Sequence, residues 1–168
     1  MSYFFIQDQK LVNTPQPPAG MQPLTRRTDW LLPPMITNLH RSFQAWEMLG
    51  LSPAPVIPDR VWLTADGQLA FAGQQRPQPL LAIALAPDLA AWLVLLDKWM
   101  ETFVVVARAR ALWNVQTLAG ALTFMSPTFL PRTLVATPPD NWVRVAQALS
   151  MALADRPLSG TPTDRHWR

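Results

Sequence analysis

The chain has 168 residues, 49% of them apolar, a formal net charge of +3 and no cysteine. That length and apolar content suit a single domain with one sizeable core and exclude wholesale disorder. The lack of cysteine excludes disulfides, zinc–thiolate and iron–sulfur sites and thiol nucleophiles, and it fits a cytoplasmic protein.

Of the fourteen basic residues only Lys10 and Lys98 are lysines. Arginine favours planar, bidentate partners such as carboxylate and phosphate. Here the arginines are scattered, with Arg26-Arg27 and the pair Arg165 and Arg168 as local groupings. Neither makes a basic stripe with interleaved aromatics, so nucleic-acid binding is not expected. The N-terminal residues Met1 to Asp8 lack the basic region and apolar core of a secretory leader. The longest apolar run, Leu80 to Leu96, carries Pro87 and Asp88 near its middle. A charge at the bilayer centre costs about 2.5–3.5 kcal/mol, so no membrane span is expected.

In chain order, residues 1–30 hold a short apolar stub (Tyr3, Phe4, Phe5, Ile6) followed by Pro15, Pro17, Pro18, Gly20 and Pro23. This reads as an extended, Pro-rich arm, and as a place for a partner to grip. Residues 31–156 read as a helical domain. Its first helix is predicted from Pro33-Pro34 to Leu49, stopped by Gly50, with Ile36, Leu39, Phe43 and Trp46 as its apolar stripe. Val61, Leu63, Leu69 and Phe71 alternate about Asp66-Gly67 and predict a β-hairpin over 61–72, with Trp62 as a packing residue.

A Pro/Gln-rich loop follows over 74–79, and then one long helix opening at Pro87-Asp88. Leu89, Trp92, Leu93, Leu96, Met100, Phe103 and Ala107 recur at three- and four-residue steps, and Val94, Leu95, Val104, Val105 and Val106 widen the apolar face. Such a helix is either central to the domain or covered by another chain. On it, Asp97 and Glu101 read as a solvated acidic patch, and Arg108 and Arg110 complement the helix C-terminus. Asn114 is a candidate cap for a segment to Phe124, Ser126-Pro127 for another, and Asp140 for a last helix carrying Val143, Ala146, Leu149 and Leu153. Residues 157–168 read as a flexible tail. The fold class is therefore mainly α with a small β-hairpin, an α+β domain, without internal repeats.

The run Ile57-Pro58-Asp59-Arg60-Val61-Trp62-Leu63, the turn at Asp66-Gly67 and Leu69-Ala70-Phe71-Ala72-Gly73, following a helix that ends in Leu49-Gly50-Leu51, resembles the catalytic-loop and metal-loop region of protein kinases. Pro87-Asp88-Leu89 resembles the Asp-capped central helix of the kinase C-terminal lobe, and residues 142–156 its last helices. The resemblance spans residues 33–156 and implies a reduced lobe with a dead site. Pro55 stands at the position of the catalytic base, Arg60 at that of the metal-binding Asn and Gly73 at that of the D-F-G aspartate. None of these can do phosphoryl-transfer chemistry. The resemblance thus implies a pseudokinase remnant without ATP binding.

Other catalytic sets are thin. His40 and His166 are the only histidines and Glu47 and Glu101 the only glutamates. His40, with Glu47 two turns along, reads as a solvated helix-surface residue rather than a general base. Ser42, Ser52, Ser126, Ser150 and Ser159 read as cap or turn residues, so a serine nucleophile is not expected. No catalytic, metal or cofactor site is expected.

Eight tryptophans are many for this length, and tryptophan is enriched at interface hot spots. The sequence therefore reads as a non-catalytic interaction or scaffold subunit, binding a protein partner or a second copy of itself. Tyr3, Phe4, Phe5, Trp30, Trp99, Val105 and Trp113 are its candidate contact residues. The alternative is a small-ligand-binding domain or an enzyme of unfamiliar type built around Asp59, Asp66 and Asp88; a nucleic-acid accessory role ranks behind both.

Overall fold

The computed structural model describes residues 1–24, 34–52, 60–63, 69–73, 78–79, 85–136 and 141–155. Strands β1 (Ser2–Gln7) and β2 (Lys10–Thr14) form a hairpin whose register pairs Tyr3 with Thr14 and Gln7 with Lys10. Asp8 and Gln9 close it, both in the left-handed region at φ 48° and 60°. A two-residue turn of that hand matches the twist of paired strands. Two-residue strand β3 (Gln22–Pro23) follows.

The other sheet strands are β5 (Val61–Leu63) and β6 (Leu69–Gly73), paired as the sequence predicts, with Val61 opposite Phe71 and Leu63 opposite Leu69. The far edge of β6 pairs with β1, and β3 pairs with β5. The result is a five-stranded sheet of order β2-β1-β6-β5-β3, antiparallel throughout. Strands β4 (Leu51–Ser52) and β7 (Gln78–Pro79) make a separate short pair.

Two expectations are corrected here. The small hairpin over 61–72 is the middle of a larger sheet, and the extended arm over 1–30 is, through residue 14, the hairpin that completes it. Tyr3, Phe4 and Phe5, expected as a partner's grip, are buried. Burying three consecutive side chains needs apolar cover on both faces of the strand, and both are provided. Phe4 joins Val61, Leu63, Leu69 and Phe71 on the face toward the helices. Tyr3 and Phe5 pack with Met21, Ala70 and Ala72 on the other. The small alanines of β6 leave room for two rings there, and Tyr3 meets Trp62 edge to face at 5.1 Å.

Helix α1 (Pro34–Met48) lies on the first of these faces, with Ile36, Phe43 and Trp46 buried. It ends as predicted at Gly50, whose φ of 65° only glycine adopts cheaply and whose N–H donates to the Glu47 carbonyl at 2.8 Å. Helix α2 (Leu85–Leu96) is buried on every side from Leu89 to Leu96, so it is central to the domain.

The single long helix expected from residue 87 is two. The chain tightens after Leu96, where the Lys98 N–H donates to Leu95 and the Trp99 N–H to Leu96, and then restarts as α3 (Thr102–Leu112). Asp97 sits at the break, its carboxylate buried, and the expected solvated acidic patch is not formed.

Asn114 caps α4 (Val115–Thr123) as predicted, its Oδ1 accepting from the Thr117 N–H at 2.8 Å. Asn114→Ala is expected to cost about 1 kcal/mol and lower the thermal midpoint by about 2–4 °C, read by circular dichroism melting. Ser126-Pro127 opens only a single turn, in which the Leu130 N–H donates to the Ser126 carbonyl at 2.9 Å; the one-turn α5 (Arg132–Val135) follows. Helix α6 (Asn141–Ala154) buries Asn141, Val145 and Leu149. Its stripe is rotated from the one predicted, with Val143, Ala146 and Leu153 only partly buried. Asp140 and the tail 157–168 lie outside the described residues. The protein is thus α+β, and among the described residues no helix is long and apolar enough to cross a membrane.

Candidate functional site

The buried face of α1 is flanked by two open faces, and each borders a cleft. On one side, Trp113 leaves the end of α3 in extended conformation and lays its half-buried indole against α1. It meets His40 at 5.1 Å and 83°, and Phe43 at 6.2 Å and 78°, both edge to face. His40 is therefore partly buried against an indole, not a solvated surface residue. The three rings form one wall of a cleft of about 240 Å³, completed by Gln44 and Glu47 from α1, Leu112 and Thr117. The helical spacing of 40, 43, 44 and 47 places all four on one side of α1. Met48, one turn beyond Gln44, is 76% exposed.

This surface carries both apolar and polar groups. It offers a rigid aromatic anchor, a flexible thioether beside it, and a polar rim that includes a carboxylate. His40 and Glu47 both border the cleft, the imidazole in edge-to-face contact with the Trp113 indole.

A second polar group lies where α2, α3 and α6 meet. Arg144 donates through Nη2 to Asp97 Oδ2 at 2.5 Å and through Nε to Thr102 Oγ1 at 2.9 Å. The Thr102 hydroxyl donates in turn to Asp97 Oδ1, and Asn141 Oδ1 is a longer partner of Arg144 at 3.4 Å. The Asp97 side chain is fully buried and that of Arg144 49% exposed. Every member is satisfied by another, so the group reads as a latch that holds α6 on the break between α2 and α3. Trp99, Met100 and Glu101 border the shallow depression above it.

The other predicted positions separate accordingly. Trp99 and Trp113 are partly exposed and adjoin these two places, whereas Val105 is completely buried in α3 and offers nothing to a partner. Trp30 and Pro55, and with them Asp59 and Asp66, lie outside the described residues. Arg60 precedes β5, Gly73 ends β6 opposite Ser2, and Asp88 lies in the first turn of α2. Gly73 is thus a paired sheet position. Among the described residues no three His, Asp or Glu side chains gather where they could hold a metal ion.

Fold and clefts together define an α+β domain in which a five-stranded antiparallel sheet is backed by helices around a buried central one. Comparison with protein families, with curated proteins and with solved structures finds no match to this chain.

Proposed function

We propose that the chain is a non-catalytic protein-interaction or scaffold subunit that seats a partner's side chains in the Trp113 cleft. The observation that supports this is the arrangement of Trp113 itself, half-buried, held rigid by His40 and Phe43 and framed by Gln44 and Glu47. A rigid aromatic inside a polar rim is the make-up of an interface hot spot, where a few residues carry most of the binding energy. The exposed Glu47 carboxylate at the rim, without an ion-pair partner among the described residues, favours a partner with a basic residue next to its apolar anchor. The reading stands whether or not the β5–β6 hairpin descends from a kinase lobe.

The test is purification of the tagged chain at physiological salt, with the mass and composition of the eluate determined for wild type, Trp113→Ala and Glu47→Lys. Wild type is expected to carry a stoichiometric partner or a second copy, and each substitution to weaken that complex tenfold or more. Glu47 is exposed, so its charge reversal leaves the fold intact and separates a lost contact from a lost structure. A wild-type monomer eluting alone, or complexes indifferent to both substitutions, would overturn the proposal.

A further inference from the structure

On the opposite flank of α1 lies a second, larger cleft of about 380 Å³, bounded by α1 and by the sheet strands β1 and β6. Its volume is within the range of small-molecule sites. The helix contributes Asn38, Arg41, Ser42 and Ala45, spaced i, i+3, i+4 and i+7 and so on one face. The apolar side is made by Trp46, which is almost wholly buried and edge to face with Phe71 at 5.6 Å, by Ile6 of β1 and by Leu69 of β6.

Three features decide what this cleft suits. First, Arg41 has no ion-pair or hydrogen-bond partner among the described residues, although its guanidinium carries five donors in a planar fork. Second, no Asp or Glu lines the cleft among the described residues, and Arg41 stands beside apolar surface, where attraction to an anion is stronger than in open water. Third, Arg41 is the only cation that lines the cleft among the described residues. A single guanidinium balances one negative charge and pairs two oxygens side by side, which fits a carboxylate better than a phosphate dianion. The Ser42 hydroxyl is a further donor on the same face.

We propose that this cleft binds a small apolar carboxylic acid as its monoanion. The carboxylate pairs with Arg41 at the mouth, and the hydrocarbon body lies over Ile6, Trp46 and Leu69. The site is separate from the Trp113 cleft and does not depend on it.

The test uses octanoate, octanamide and inorganic phosphate as probes against the whole chain, with affinities from calorimetry and ligand-observed NMR. Octanoate is expected to bind saturably and at least tenfold more tightly than octanamide, which keeps the chain but lacks the charge, and than phosphate, which has charge but no apolar body. Arg41→Gln is expected to weaken octanoate tenfold or more, Arg41→Lys to restore part of that, and Lys10→Gln to change it less than twofold. Arg41 is exposed, so its substitution leaves the melting curve unchanged and the loss can be assigned to the contact. Equal affinity for octanoate and octanamide, an Arg41→Gln variant that binds like wild type, or no saturable octanoate binding would each overturn the proposal.

Discussion

Arg144→Met is expected to cost about 2–3 kcal/mol of unfolding free energy, more than Asp97→Asn at about 1 kcal/mol, although both break the same ion pair. The asymmetry follows from burial. The Asp97 side chain is fully buried, whereas that of Arg144 is 49% exposed. Removing the arginine strands a buried carboxylate with the Thr102 hydroxyl as its remaining partner. Removing the carboxylate's charge leaves an arginine that water can solvate, and the asparagine oxygen still accepts from Thr102. Methionine keeps the apolar stem of Arg144, so the comparison isolates the charge. The double substitution Asp97→Leu with Arg144→Met is expected to recover part of the loss, because replacing a buried pair by apolar groups removes the desolvation penalty along with the attraction. Urea unfolding of the three variants decides it. If Asp97→Asn costs as much as Arg144→Met, the latch is not governed by the unpaired buried charge.

That latch shows why part of the fold could not be read from the chain. Asp97 and Glu101 stand i and i+4, and Trp99 and Met100 continue the apolar periodicity of α2, so residues 87–107 scan as one helix. The break is fixed by Arg144, a partner in α6 that no local pattern reveals. The N-terminal hairpin was hidden for a different reason. Its turn is Asp8-Gln9, both left-handed without a glycine, so the usual Asp-Gly or Asn-Gly signal is missing. Its strand is covered on both faces, so Tyr3, Phe4, Phe5 and Ile6 run on without alternation. Where the chemistry is local, sequence and structure agree: Gly50 ends α1, Asn114 caps α4, and the alternation of Val61 and Leu63 with Leu69 and Phe71 defines β5 and β6. The candidate site divides the same way. Trp113 is recognisable as a tryptophan with an interface role open to it. Its pairing with His40 and Phe43 is tertiary, and the cleft at Arg41 exists only because β1 folds back beside α1.

Trp92→Ala is expected to cost about 3–5 kcal/mol, among the largest losses open to a single substitution in this chain. Trp92 is fully buried at the centre of α2 and touches Phe71 of the sheet edge to face at 6.4 Å, in a chain of rings that Trp46 begins on the other side of Phe71. Alanine would empty the place where the central helix meets the sheet. Trp92→Phe is expected to behave quite differently, staying within about 1 kcal/mol of wild type, because two terms oppose each other. Phenylalanine is smaller and leaves a residual gap, which costs about 1–2 kcal/mol. The indole Nε1–H of Trp92, however, is buried without a hydrogen-bond partner among the described residues, a condition that itself costs about 1–3 kcal/mol and that phenylalanine removes. Trp46→Phe supplies the control, since Trp46 is equally buried but its nitrogen is not such an orphan. It should show the cavity cost without the compensating gain. Denaturant unfolding of the three variants gives the order Trp92→Phe, Trp46→Phe, Trp92→Ala from least to most destabilised. A Trp92→Phe loss equal to or larger than that of Trp46→Phe would show that the Trp92 N–H is satisfied in the folded protein.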